Sequence, residues 1–158
     1  MPKVVNPQPP DYQVGHRQTF WLVDLSANWP FPVEATLCQV TPHAYFYLED
    51  QSSTGGQPLE QAGQDFERIY ALVGRYFGRE WTPGVDNDPR ITVLYARMPS
   101  VVGYFSSTNE YARSLFPYSN EREMVTLNGE DLKGQAPQSR TLAHELEHLI
   151  HWSADPTE

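Results

Sequence analysis

Two histidines and a glutamate in one short segment, His144-Glu145-Leu146-Glu147-His148, constrain this chain more than any other feature. The segment has the pattern H-E-x-x-H and lies in TLAHELEHLIHW, whose apolar residues recur at helical spacing. Residues four apart share one face of a helix, so both imidazoles can reach one metal ion at about 2.0–2.1 Å. The glutamate can then take a proton from water activated by that metal. The pattern predicts a zinc site with two histidine ligands and Glu145 as general base.

Chance is the alternative explanation of the motif, because only three of its positions are fixed. An ordinary helix with two solvated histidines would show the same letters. The context favours the metal site, since the motif lies in an amphipathic helix that follows several strand-like runs. Glu147, inside the motif, is expected to be an ordinary solvated side chain.

The helix around the motif has an apolar face. Leu142, Leu146, Leu149 and Ile150 recur at helical steps and should pack on a sheet. The two motif histidines lie on a neighbouring face. The metal site is therefore expected in a cleft beside the buried stripe.

The length and composition of the chain limit the kinds of protein that it could be. The chain has 158 residues, enough for about one domain. Its net charge of −9 argues against nucleic acid or an anionic membrane as the main partner. No apolar run approaches the roughly 20 residues of a membrane span. The single cysteine, Cys38, has no partner for an internal disulfide and is expected to be a small buried residue.

The rest of the chain alternates between strand-like and helical patterns. Apolar residues at three- and four-residue steps predict a long amphipathic helix over 59–81. The segments NWPFP, TPGVDNDP and GEDLKGQ are predicted turns, 109–123 is a predicted loop, and Pro137 suits the first turn of the last helix. Runs rich in aromatic and β-branched residues predict six strands, at 17–25, 33–41, 43–50, 90–96, 102–107 and 123–128.

These patterns predict an α+β fold. A mixed β-sheet carries the long helix and the H-E-x-x-H helix on one face, preceded by a small antiparallel β unit. By residue number, we expect an extended proline-rich tether at 1–15, the antiparallel unit at 16–50, and the first part of a catalytic domain at 51–158.

The order of a long helix, strands and an H-E-x-x-H helix resembles the N-terminal half of the zincin metallopeptidases. With its lead-in FWLVDL…ATLCQVTPHAYFYLED, the chain resembles the gluzincin-like, bacterial hyicolysin-type peptidases. The resemblance implies that His144 and His148 bind Zn²⁺ and that Glu145 is the general base. It also implies a third ligand, a glutamate on a later helix. His148 lies ten residues before Glu158, so we expect the third ligand to lie beyond this chain. Without that ligand, we expect this chain to be an inactive fragment.

Local substitutes for the third ligand are less favourable. The sequence does not match the metzincin pattern H-E-x-x-H-x-x-G-x-x-H. His151 occupies the position of the pattern's glycine, and Ala154 occupies the position of its last histidine. His151 is seven residues from His144, a rise of about 10.5 Å along a helix, which is too far for a shared ion. Asp155 and Glu158 could fold back, but chain ends seldom fix a ligand.

Other candidate residues have ordinary alternatives. Asp86-Asn87-Asp88 could contact calcium, but a turn before a proline explains it better. Three tyrosines could donate a hydrogen bond to the tetrahedral oxyanion formed during hydrolysis, or could be ordinary packing residues. They are Tyr104, Tyr111 and Tyr118. The strand VGYFSS is either an edge strand that an extended peptide could join or an ordinary strand within the sheet.

The function expected from these patterns is that of a secreted bacterial zinc metalloendopeptidase, a hydrolase acting on a peptide or protein. A non-catalytic binding module with a vestigial or structural metal site is the alternative. We expect no nucleic-acid partner and no membrane span, with a dimer through an exposed C-terminal helix as one possibility. The expected location is extracellular or in the cell envelope, with the signal peptide absent from this chain.

Overall fold

The computed structural model describes residues 4–50, 57–98, 101–133 and 138–155. The predicted Pro137 position and Glu158 lie outside these residues. The elements are, in chain order, the strands β1 (Arg17–Asp24), β2 (Trp29–Val40) and β3 (Ala44–Glu49), the helix α1 (Gln57–Phe77), the strands β4 (Ile91–Ala96), β5 (Gly103–Phe105) and β6 (Met124–Asn128), and the helix α2 (Gln138–Ala154). Short 3₁₀ helices cover Ser107–Glu110 and Gly129–Lys133.

All six strands form one curled mixed sheet, in the order β1-β2-β3-β4-β6-β5. The first three strands are an antiparallel meander. β3, β4 and β6 run parallel to one another, and β5 returns antiparallel at the edge beside β6. The predicted mixed α+β architecture is confirmed. The antiparallel strands at the start of the chain are continuous with the rest of the sheet through the β3–β4 pair.

Both helices pack on the same face of the sheet. The core on that face joins Phe66 and Val73 of α1 to the inward residues of β3, β4 and β6. The predicted apolar stripe of α2 lies in this core, because Leu142, Leu146 and Leu149 are at most 3% exposed. Burial of each such side chain contributes about 1.5–3 kcal/mol to folding, so the stripe fixes which face of α2 turns toward solvent.

The curl of the sheet encloses a second core on its other face, where Phe20 and Leu37 pack with Tyr47 and Leu94. The curl also brings the outer edge of β1 to other parts of the chain. The Asn120 amide bonds both the N–H and the C=O of Trp21, each at 2.8 Å. The N–H of Val23 donates to Tyr104 Oη at 3.2 Å. Side chains thus make the hydrogen bonds that a neighbouring strand would otherwise make at this edge.

The predicted turn NWPFP is wrong, because Trp29 begins β2 and the turn falls on residues 25–28. Pro30 and Pro32 pair with Val23 and Trp21 of β1. The N–H groups of those two β1 residues point away from β2, so the two prolines occupy non-hydrogen-bonded positions. β3 reaches only as far as Ala35 of β2. The missing proline N–H groups therefore cost no ladder bond, as at a sheet edge.

The long helix was predicted to run to Trp81, but α1 ends at Phe77. Gly78 follows with φ +96°, the left-handed conformation that ends helices at glycine. The apolar spacing alone did not show this stop.

The proline-rich start contains no helix or strand from residue 4 to 16. It is nevertheless bonded to the body of the protein. Val5 N–H donates to Val85 O at 2.7 Å, and the Arg122 guanidinium lies 5.3 Å from the Tyr12 ring centre. No local sequence pattern predicts these contacts.

Candidate metal centre

The motif histidines project from the solvent-facing side of α2. His144 and His148 are exposed, and their Nε2 atoms lie 3.1 Å apart. Two nitrogens on a tetrahedral zinc at about 2.05 Å would be separated by about 3.3 Å. The structure therefore brings the two predicted ligand atoms to a spacing that one metal ion can bridge.

Glu145 follows His144 in α2, and its side chain points toward β5. Its side chain is 7% exposed in relative terms, and its Oε2 accepts a hydrogen bond from Phe105 N–H at 2.8 Å. Burial raises the pKa of Glu145, while the Phe105 N–H and the two nearby histidines act to lower it. The predicted base is thus a partly desolvated carboxyl group held by backbone of the edge strand.

An open cleft of about 550 Å³ begins at His148 and continues along the C-terminal half of α2. Phe105, Ser106 and Ser107 form its other wall. The cleft provides a solvent-accessible space beside one imidazole. Its lining residues other than His148 were not predicted as a set, because strand and helix residues meet there only through tertiary packing.

His151 and Asp155 also line this cleft, but they do not join the histidine pair. The His151 ring packs edge-on against Phe77, with ring centres 5.6 Å apart. Within residues 4–50, 57–98, 101–133 and 138–155, no three His, Cys, Asp or Glu side chains are grouped to hold a metal ion. The described residues therefore fit two positions of a zinc site and not the third.

The three candidate tyrosines lie in different places. Tyr104 packs against the core on the sheet face away from the helices, and its Oη accepts the β1 hydrogen bond. Tyr118 packs on Trp21 at 4.8 Å between ring centres. Tyr111 is the nearest to α2, with its ring centre 6.1 Å from that of Trp152. Packing accounts for the contacts of each.

The Asp86-Asn87-Asp88 segment forms a turn, with Asn87 at φ +63°. Asp88 accepts hydrogen bonds from Tyr45 Oη at 2.8 Å and from Arg90 N–H at 2.9 Å. These bonds agree with the turn interpretation. Cys38 is half-buried at a register shift in β2 and packs against the helix-side core.

No protein-family model matches this sequence, and no curated protein matches it. In the described part of the chain, neither helix is long and apolar enough to cross a membrane. The site must therefore be interpreted from its own geometry.

Proposed function

We propose that this chain carries the zinc-binding and general-base residues of a metalloendopeptidase. The observation that carries the proposal is the 3.1 Å separation of His144 Nε2 and His148 Nε2 on an exposed helix face. Glu145 stands beside this pair, and an open cleft starts at His148. β5 lies at the sheet edge, the position at which an extended peptide substrate could add as a strand, although its Phe105 N–H is already bonded to Glu145.

In this proposal the residues of the chain have separate roles. The two imidazoles would hold zinc, which would supply Lewis acidity and lower the pKa of water toward neutrality. Glu145 takes a proton from the attacking water and passes it to the leaving amine. Its burial keeps the carboxyl group out of bulk solvent, which favours proton transfer near neutral pH. No nucleophilic side chain is required.

The third protein ligand of a catalytic zinc is expected from outside the described residues. Two imidazoles alone should hold the metal weakly. Zinc affinity and hydrolysis are therefore best measured in parallel, so that metal binding is judged separately from catalysis.

The experiment is zinc titration calorimetry together with chelator-sensitive cleavage of casein. We expect one zinc per chain, with His144→Ala and His148→Ala each weakening zinc binding at least tenfold. His16→Gln is the matched control, because His16 bonds Tyr47 Oη at 3.0 Å and lies away from α2. Equal zinc affinity in all four proteins would refute the site. Tight zinc binding without cleavage would instead identify a non-catalytic module.

A further inference from the structure

We propose that Gly103 is a positioning residue for Glu145. The absence of a side chain at Gly103 lets β5 lie against α2, so that Phe105 N–H can hold the Glu145 carboxylate. Its catalytic consequence rests on the proposed function, whereas the positioning itself can be measured without any activity.

The space around Gly103 is too small for a side chain. A Cβ atom at this position would lie 2.8 Å from Thr141 Cγ2, 2.9 Å from Leu127 Cδ2 and 3.0 Å from Thr126 O. The φ of Gly103 does not fall in the left-handed region, so the requirement for glycine comes from packing rather than from backbone conformation. The tightest neighbour, Thr141, belongs to α2.

The contacts of β5 with α2 are in register. Gly103 and Phe105 are two residues apart in a strand, a rise of about 6.6–6.8 Å. Thr141 and Glu145 are four residues apart in a helix, a rise of about 6.0 Å. These two rises are nearly equal. The strand and the helix can therefore make both the Gly103–Thr141 contact and the hydrogen bond between Phe105 and Glu145.

A side chain at position 103 would disturb this pairing at one end. Thr141 Cγ2 and Leu127 Cδ2 would both have to shift, and Thr126 O, at 3.0 Å, belongs to the backbone of β6. We expect β5 to move away from α2, which lengthens the bond from Phe105 N–H to Glu145 Oε2. The carboxylate then loses its fixed orientation. Misplacement of a catalytic group by about 1 Å can cost on the order of a hundredfold in rate.

The test compares Gly103→Ala with Gly129→Ala. Gly129 is the matched control, because a Cβ there would meet Ala96 backbone atoms at ordinary distances of 3.6–3.7 Å. In Gly103→Ala we expect amide exchange at Phe105 to accelerate at least tenfold, with zinc affinity within about twofold of the parent protein. Where peptide cleavage is measurable, kcat should fall about 10- to 100-fold with little change in KM. Gly129→Ala should change none of these quantities.

A compensating variant guards against general loss of structure. Thr141→Ser removes Cγ2, so Gly103→Ala/Thr141→Ser should recover part of both the Phe105 protection and kcat. If Gly103→Ala does not fold, Thr141→Ile tests the same contact from the helix side and should produce the same loss of protection. Unchanged Phe105 exchange in the folded single variant would overturn the proposal, as would unchanged kcat despite faster exchange. If no form cleaves peptide, the proposed function fails while the exchange measurements still decide the positioning.

Discussion

Glu110 and Glu123 lie buried near each other in the protein interior, where they are only 1% and 2% exposed, and each affects the pKa of the other. Two buried carboxyl groups in close proximity repel each other when both are charged, which favours a proton on one of them. Burial, together with the nearby charges of Glu123, Asp86 and Glu80, raises the pKa of Glu110. Burial also raises the pKa of Glu123 to about 7, against the lowering effect of its bond from Val85 N–H.

This pair predicts that stability falls as pH rises. The folded protein binds protons on Glu123 up to about pH 7, whereas an unfolded glutamate releases them near its ordinary pKa of 4.5. The native state therefore binds more protons between these values, so its stability decreases through that window. We expect Tm to drop by roughly 5 °C or more between pH 5 and pH 8.

Glu110→Gln should flatten this pH profile, because an amide can donate to Glu123 without a titrating proton. Differential scanning calorimetry at several pH values measures the slope. Glu60→Gln, at an exposed position in the first turn of α1, should leave the slope as in the parent protein. A slope retained in full by Glu110→Gln would assign the effect to another group.

Asn120→Ala should destabilise the protein by about 2–3 kcal/mol. The substitution leaves Trp21 N–H and C=O and Asn109 Oδ1 without their bonds to the Asn120 side chain, and unpaired buried polar groups are costly. Urea unfolding measures the change. Gln64→Ala, on the exposed side of α1, should change the free energy of unfolding by less than about 0.5 kcal/mol. A similar small effect for Asn120→Ala would show that water replaces the amide.

Two glycines, Gly74 within α1 and Gly78 directly after it, should respond to alanine in opposite directions. Gly74 lies within the helix and has no neighbouring atom within 4 Å of a new Cβ, so Gly74→Ala should stabilise by about 0.5–1 kcal/mol. Gly78 ends the helix at φ +96°, so Gly78→Ala should destabilise by about 1 kcal/mol or more. Thermal unfolding of both variants measures the difference. Shifts of the same sign would contradict the assigned helix end.

Glu145→Gln tests the proposed base directly. The amide oxygen can still accept the bond from Phe105 N–H, but the side chain cannot take a proton. In an active form of the protein, hydrolysis should fall by about 10²–10⁴ while zinc binding remains. Glu147→Gln, at the variable position of the motif, should keep most activity. Near-normal cleavage by Glu145→Gln with zinc still bound would assign the base to another residue.

The parts of the fold that follow local patterns were predictable. The apolar stripe of α2 has a helical spacing, and the runs that form β3, β4 and β6 are recognisable as continuous apolar, aromatic and β-branched segments. The start of β2 was missed, since Pro30 and Pro32 indicate a turn unless the position of β3 is known. The end of α1 was missed because the apolar spacing continues past Gly78, where the chain leaves the helix.

The site was predictable only along one helix. The spacing of His144 and His148 is a local property. The bond from Phe105 to Glu145, by contrast, joins residues 40 positions apart, and the proximity of Glu110 to Glu123 depends on how the intervening loop folds back. No single-sequence pattern encodes such contacts.

The side chains that cover β1 also bear on self-association. An uncovered sheet edge is a template on which another polypeptide can add as a strand and start aggregation. The outward N–H groups of Trp21 and Val23 are already bonded to Asn120 and Tyr104, so an incoming strand would first have to displace them. Along this stretch, the amide and phenol protect the protein from forming intermolecular β-structure.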